Sequence, residues 1–291
     1  MYAAKGRGKN NCVIFEVGMH AAALERLRLK ADLQRSIEAE EFVLDYQPVV
    51  SLSSGEIRGI EALVRWQHPG RGLIAPTEFI PLAEETGAII ALGRWVLKTA
   101  CLQTRLWQIE FPGHESLTLH VNVSARQLQE TSIVDDVARM LLESRLEPGC
   151  LCLELTESVL MQNTASSIFK LKQLRDLGVR IFVDDFGTGY SSLSYLDTLP
   201  IDGLKIDKSF VDRMRSGFDD STLAVAVIKL SRNLDLQAIA EGIETAEQAQ
   251  RLRDLECDLG QGYFFAKPMA PEDVSAHLDS SLHRWSGEPH R

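Results

Sequence analysis

The sequence predicts an α/β protein, a TIM-like (β/α)8 barrel whose first strand runs antiparallel to its neighbours. Three observations lead there. Short β-rich runs alternate with amphipathic helical segments over most of the chain, the pattern of a largely parallel sheet covered by helices. Eight such runs can be counted, enough to close a ring. The first two are joined only by Ser51-Leu52-Ser53-Ser54-Gly55, too short for a crossover helix, so this pair is expected to be antiparallel. A doubly wound open sheet accommodates the same strand count and is the competing architecture.

Residues 1–16, MYAAKGRGKNNCVIFE, read as a basic turn followed by a short apolar strand, Asn11–Val17. From Met19 to Glu41 apolar residues recur at helical spacing (Ala23, Leu27, Ala31, with Leu24, Leu33 and Ile37) between charges, which predicts a solvated amphipathic linker helix over residues 17–41. The strands follow at Phe42–Val50, Ile57–Trp66, Leu117–Ser124, Leu151–Glu157, Arg180–Phe186, Gly203–Asp207, Gln237–Ile243 and Cys257–Gly262. The helices between them include Trp95–Trp107, Ile133–Ser144, Ser166–Leu177, Ser192–Leu199, Thr222–Leu234 and Ala246–Leu255. The barrel is thus expected over residues 42–280, with a polar tail at 281–291.

Composition narrows the function. The 291 residues are 45% hydrophobic and 25% charged, ordinary for a globular chain with a sizeable core. Lys and Arg number 31 against 41 Asp and Glu, a net charge of -10 that argues against DNA or RNA binding, which needs clustered positive charge. No apolar run reaches the ~18 residues of a spanning helix. The best stretch, Ala88 to Cys101, is broken by Arg94 and Lys98, so no membrane contact is expected of this chain. The first residues lack the apolar core of a secretory signal, and the five cysteines form no CxxC pair, which predicts free thiols in a reducing cytoplasm. The seven histidines form neither HxH nor HExxH, so any metal is expected on oxygen ligands.

Polar residues gather at the ends of the strands: Glu61, Asn122, Glu154, Asp184 with Asp185, Lys205 with Asp207, Glu241 and Gln261. In an α/β barrel the C-terminal strand ends converge on one mouth, where catalytic side chains sit. Carboxylates crowded there raise one another's pKa unless cations intervene. Carboxylate and amide oxygens suit Mg²⁺ or Mn²⁺ better than zinc or copper, and two such ions roughly 3.5–4 Å apart would clamp the attacking and leaving oxygens of a phosphodiester. Singly, each residue has an ordinary reading. Glu61 alone is a solvent-facing strand residue, Asn122 with Ser124 a helix cap, Glu154 the polar side of an alternating strand, Asp184-Asp185 a turn, and Lys205 half of a surface ion pair. The argument rests on their conjunction, since nearly every strand donates one suitable group at its end.

These motifs resemble the EAL domain, the family of cyclic di-GMP phosphodiesterases. The run EALVRWQHPGRGLIAPTEFIPLAEETG opens at Glu61, with YQPVV at Tyr46–Val50, NVS at Asn122–Ser124, ELTES at Glu154–Ser158 and DDFGTGYSSLSYL at Asp184–Leu196. LPIDGLKIDKSFV, AEGIET and QGYFFAKP follow in the family's order, so the resemblance covers about Phe42 to His277. It implies that Glu61, Asn122, Glu154 and Asp184 hold a first metal ion. Asp184 and Asp185 would face a second, Asp207 would assist through water, and Glu241 would complete the acidic set. Lys205 would act as general base or water-orienter beside the attacking water, and Gln261 would hold the water network. Arg65 would grip a phosphate and Gln47 a guanine edge, while Glu157 would anchor the loop that carries Asp185.

The implied function is two-metal hydrolysis of cyclic di-GMP to linear pGpG by a cytoplasmic homodimer, whose parent protein can itself be membrane-anchored. The alternatives are a cyclic di-GMP receptor without turnover and a purely structural dimerisation module. Residues 1–16 resemble the closing segment of a GGDEF domain, which implies upstream GGDEF or sensor domains with the following helix as a relay.

Overall fold

The computed structural model describes residues 17–161, 165–187, 196, 199–215 and 223–279. Its strands are β1 (Phe42–Ser51), β2 (Ile57–His68), β3 (Gly72–Ile74), β4 (Thr118–Asn122), β5 (Leu151–Thr156), β6 (Arg180–Phe186), β7 (Gly203–Ile206), β8 (Gln237–Ala240) and β9 (Leu259–Gly260). Parallel pairings run from β2 through β4, β5, β6, β7 and β8 to β9. β1 pairs antiparallel with both β2 and β9 and closes the ring, so the barrel is mixed, with its first strand reversed as expected. The open-sheet alternative is excluded by that closure. β3, which the sequence pattern did not signal, pairs antiparallel with the end of β2 outside the ring.

The helical expectations hold in the middle of the chain and shift at its edges. Ile133–Ser144, Ala165–Asp176, Leu223–Asn233 and Ala246–Asp254 appear within a residue of their expected limits. The expected helix at Trp95–Trp107 is the inner part of a longer one, Ala88–Glu110. A separate helix, Pro76–Thr86, precedes it. Pro76 preorganises the first turn of that helix, and Gly87, at φ 87°, ends it in the left-handed region before the chain re-enters a helix. The expected helix at Ser192–Leu199 and the strand Asn11–Val17 lie almost entirely outside the described residues.

The N-terminal helix runs from Val17 to Glu38 but is not solvated all round. Leu29 and Leu33 are buried in the main core, and the helix packs against the helices at Pro76–Thr86 and Ala88–Glu110. Leu33 and Ile37 of the expected stripe thus meet the core, while Leu27 and Ala31 face solvent. Lys30 Nζ lies 2.7 Å from Glu85 Oε1, an exposed pair worth little by itself. No helix among the described residues is long and apolar enough to cross a membrane.

Two cores hold the barrel. The larger lies between strands and helices and includes Trp66, Phe79, Trp107 and Leu119. The smaller fills the ring itself with Val49, Cys152, Phe182, Ile239 and Leu259. Successive strand residues face opposite sides, so the residue two positions further along faces the same interior. On β5, β6, β8 and β9 the residues two positions beyond the plug are Glu154, Asp184, Glu241 and Gln261. On the reversed β1 the corresponding step runs backwards, from Val49 to Gln47. An apolar floor thus lies beneath a polar layer.

β7 contributes a glycine to that floor. A Cβ on Gly203 would come within 2.2 Å of the Phe182 ring and 2.7 Å of the Gln237 carbonyl oxygen. Gly203→Ala is expected to cost about 1–3 kcal/mol through overpacking, read as a lower urea midpoint at unchanged slope. An unchanged midpoint would mean that the Phe182 plug can move aside.

Candidate active site

Lys205 is the side chain on which the polar layer converges. It is 1% exposed, and its Nζ lies 2.6 Å from Glu241 Oε1 and 2.8 Å from Glu154 Oε2. Glu61 Oε2 and Asp184 Oδ1 each stand 3.5 Å away. Asn122 Nδ2 donates to Glu61 Oε1 at 2.8 Å, and Gln261 Nε2 donates to Glu61 Oε2 at 2.7 Å. Gln261 Nε2 is also 2.9 Å from Gln47 Oε1, while Gln47 Nε2 donates to the Ala266 carbonyl. Eight of the twelve residues singled out from the sequence are joined in this one network, Asn122 through Glu61. Glu241 and Gln261 lie just past their strands, but backbone bonds to Ile206 and Ala240 hold them in the ladder.

The charges are unbalanced. Burial acts to lower the pKa of Lys205, but Asp184, Glu154, Glu241 and Glu61 together outweigh it and hold the amine well above its usual range. Burial acts to raise Glu61 too, yet Lys205, Gln261 and Asn122 keep it below the usual carboxylate range. Glu154 and Glu241 go the other way. Burial pushes each well up, Lys205 opposes this, and neighbouring carboxylates reinforce it. One ammonium does not neutralise so many acids.

Asp185 shows how two consecutive carboxylates reach one mouth. A regular strand would point Asp184 and Asp185 to opposite sides. Here the β6–β7 register slips between Val183 and Phe186, and Asp185 adopts φ 54°, in the left-handed region. Bulges of this kind re-aim side chains beside functional sites. The Asp185 amide donates to Asp184 Oδ1 at 2.9 Å, and the Gly187 amide donates to Glu157 Oε2 at 2.8 Å. Burial, with Asp184 and Asp207 beside it, raises the pKa of Asp185. Asp184, Asp185 and Glu241 place carboxylate oxygens within 4.8 Å of one another, a group that can hold a metal ion. The donors are hard oxygens and the local charge is in excess, both of which suit a divalent cation.

Two predicted residues are engaged elsewhere. Asp207 accepts from the Ser209 amide at 3.0 Å as an N-cap, leaving one carboxylate oxygen uncommitted by that bond. Arg65 Nε is 2.8 Å from Asp45 Oδ2, a partner that sequence reasoning missed. On the mouth side a cleft of about 340 Å³ is lined by Glu61, Asp184, Lys205 and Glu241, and also by Lys208, Glu244 and Tyr263. His120, fully buried beside Glu154, belongs to no metal-binding spacing and so carries no motif in the sequence. The usable signal was its place two residues before Asn122, on the same inward face of β4.

Cys101, Cys150, Cys152 and Cys257 are free thiols, as expected of the described cysteines.

The comparisons agree with this geometry. The EAL domain profile matches residues 30–268. The chain is 45% identical over 278 residues to the bifunctional diguanylate cyclase/cyclic di-GMP phosphodiesterase MucR of Pseudomonas aeruginosa, covering 96% of this chain and 40% of that protein. It is 41% identical over 269 residues to the cyclic di-GMP phosphodiesterase NbdA of the same organism, covering 92% and 34%. The chain therefore spans well under half the length of these relatives. A solved structure of the PaMucR phosphodiesterase in complex with c-di-GMP superposes with a TM-score of 0.80 at 44% identity, covering 85% of this chain and 99% of that one. The EAL enzyme Bd1971 in its cAMP-bound form gives 0.83 at 34% identity, covering 88% and 71%. With its strand-end acids and amides in one mouth and this profile across most of its length, the chain belongs to the EAL domain family.

Proposed function

We propose that this chain is a metal-dependent phosphodiesterase that hydrolyses cyclic di-GMP to linear pGpG. The observation that carries the reading is the buried Lys205 ammonium among Glu61, Glu154, Asp184 and Glu241, at the mouth end of a barrel similar to the MucR phosphodiesterase. Glu61, Asn122, Glu154 and Asp184 would hold one Mg²⁺ or Mn²⁺. Asp184 and Asp185 would hold a second, with Asp207 acting through water and Glu241 alongside. Bound ions of this kind supply the positive charge that stabilises the entering and departing oxygens of an in-line displacement at phosphorus.

The protein's own groups do the rest. Lys205, held protonated by its carboxylates, serves better as a hydrogen-bond donor that orients the attacking water than as a general base. Arg65 spends Nε on Asp45 and Nη1 on the Val64 carbonyl, which leaves Nη2 for a phosphate oxygen. Gln47 retains one amide hydrogen and one carbonyl lone pair for a guanine edge, and Gln261 keeps a buried Oε1 without a protein partner for the water network. Glu157 keeps the Asp185 turn in place.

The names and greater length of MucR and NbdA support GGDEF or sensor domains upstream, with residues 1–16 as a GGDEF remnant and 17–41 as the relay into a barrel at 42–280. On this reading the protein works as a cytoplasmic homodimer.

Chromatography of cyclic di-GMP incubated with the protein is expected to show pGpG with Mg²⁺ or Mn²⁺. Excess chelator should abolish the product, and Ca²⁺, with its looser coordination, should suppress it. Undiminished hydrolysis in chelator would overturn the two-metal reading, and binding without any product would favour the receptor.

Lys205→Ala is expected to lower kcat by about 100-fold or more while cyclic di-GMP still binds, the signature of a contact made in the transition state. Arg65→Ala should instead raise KM. Calorimetry showing no binding to Lys205→Ala would reassign Lys205 as a substrate anchor.

Burial raises the pKa of Glu154, Glu241 and Asp185 before metal binds, and coordination favours their ionised forms. Mn²⁺ binding is therefore expected to release protons, and apparent affinity should climb as pH rises above the usual carboxylate range. Titrations in two buffers of different ionisation enthalpy measure that release; identical heats in both would refute it.

A further inference from the structure

Beneath the mouth, a polar chain crosses the apolar floor of the barrel. His120 on β4 is 1% exposed, and its Nδ1 lies 2.9 Å from Glu154 Oε1. The other Glu154 oxygen accepts from Lys205 Nζ at 2.8 Å, so the carboxylate is gripped from both sides. At the far edge of the ring, His120 Nε2 lies 3.3 Å from Thr118 Oγ1, and the Thr118 hydroxyl donates to the Arg58 carbonyl at 3.1 Å. A carboxylate accepts, so Nδ1–H is the donor to Glu154 and Nε2 of the neutral ring is an acceptor; the single Thr118 hydroxyl hydrogen lies within reach of both Nε2 and the Arg58 carbonyl. The Phe182 ring packs edge-on against the imidazole, with centroids 5.3 Å apart.

The space for this chain is built into β2. Gly59 pairs with Thr118 across the β2–β4 ladder, and a Cβ there would come within 2.4 Å of Thr118 Oγ1 and 3.2 Å of the His120 ring. A side chain at Gly59 would push both partners out of line. The ring thus omits one side chain where the imidazole passes.

We propose that His120 is a positioning residue for the phosphodiester reaction: it fixes one Glu154 oxygen from below, so that the carboxylate meets Lys205 and the cation site in a single orientation. This rests on the reading of Glu154 as a metal ligand. The physical reason is that a carboxylate held by one contact rotates, whereas groups that hydrogen-bond metal-binding side chains orient them and are worth about 10- to 100-fold in affinity or activity. His120 does not touch substrate.

The test measures Mn²⁺ affinity by calorimetry without substrate, alongside cyclic di-GMP turnover, in His120→Leu, His120→Asn and Gly59→Ala. His120→Leu is expected to lose about 10- to 100-fold in both Mn²⁺ affinity and kcat, with KM for cyclic di-GMP changed less than about threefold. His120→Asn, whose amide nitrogen can take the place of Nδ1, should recover most of the loss. Gly59→Ala should reproduce part of it with His120 present. If His120→Leu does not fold, the asparagine and alanine variants still decide the question. Wild-type Mn²⁺ affinity in His120→Leu, or equal loss in folded leucine and asparagine variants, would overturn the proposal, the second by reducing the imidazole to a packing group. Should the wild-type protein fail to hydrolyse cyclic di-GMP, the Mn²⁺ isotherms still judge His120, and only the activity reading falls.

Discussion

The ammonium of Lys205 stands within 2.6–3.5 Å of four carboxylates inside the ring, and the polar layer of the barrel depends on it. A lone carboxylate moved into such an interior would take up a proton instead of keeping its charge. With Lys205 in place, Glu61 stays ionised, supported by the Asn122 and Gln261 amides. Glu154 and Glu241 are only partly served, which leaves an acidic surplus that a divalent cation would relieve. A buried charge cluster of this kind is weak evidence for stability, since an apolar filling of similar volume often does better. Its presence speaks for chemistry.

That cluster is held by the least irregular part of the fold. The plug of Val49, Cys152, Phe182, Ile239 and Leu259 fills the ring one side-chain step below the polar groups. Antiparallel closure by β1 adds a consequence that parallel strands alone would not supply. It brings Gln47 opposite Glu61 and within reach of Gln261, so the two strands flanking β1 share one amide network. Among the strands that carry the acids, the exception is the bulge at Asp184–Asp185, where a positive φ is tolerated better by Asp than by most residues. Regular strands position most of the acids, and a single irregularity supplies the last.

Most of this was readable in the sequence because side-chain direction in a strand has a period of two. Runs such as LCLELTE and GLKID state their inward residues once the ring is assumed, and the short Ser51–Gly55 turn announced the reversal of β1. The same periodicity explains why Glu154 lies inside, where its alternation alone allowed either face. Other features carried no such local signature. β3 is three residues long, and the helix at Pro76–Thr86 is separated from the next only by the left-handed Gly87. The burial of Leu29 and Leu33 depends on neighbours far along the chain, so a helix that reads as solvated in isolation is partly covered in the fold.

Local pattern was enough for the strands, the reversal of the first and the polar residues at their ends, because alternation and loop length act over a few residues. Contacts between strands distant in sequence decided the rest. His120 meets Glu154 across 34 residues and Arg65 meets Asp45 across neighbouring antiparallel strands, pairings set by strand register. Whether Asp185 joins Asp184 was settled by a register slip against β7, and the opposite pKa directions of Glu61 and Glu154 by burial, the Lys205 ammonium and the neighbouring groups together. Charge interactions depend on separation and burial, and neither is a property of residue order.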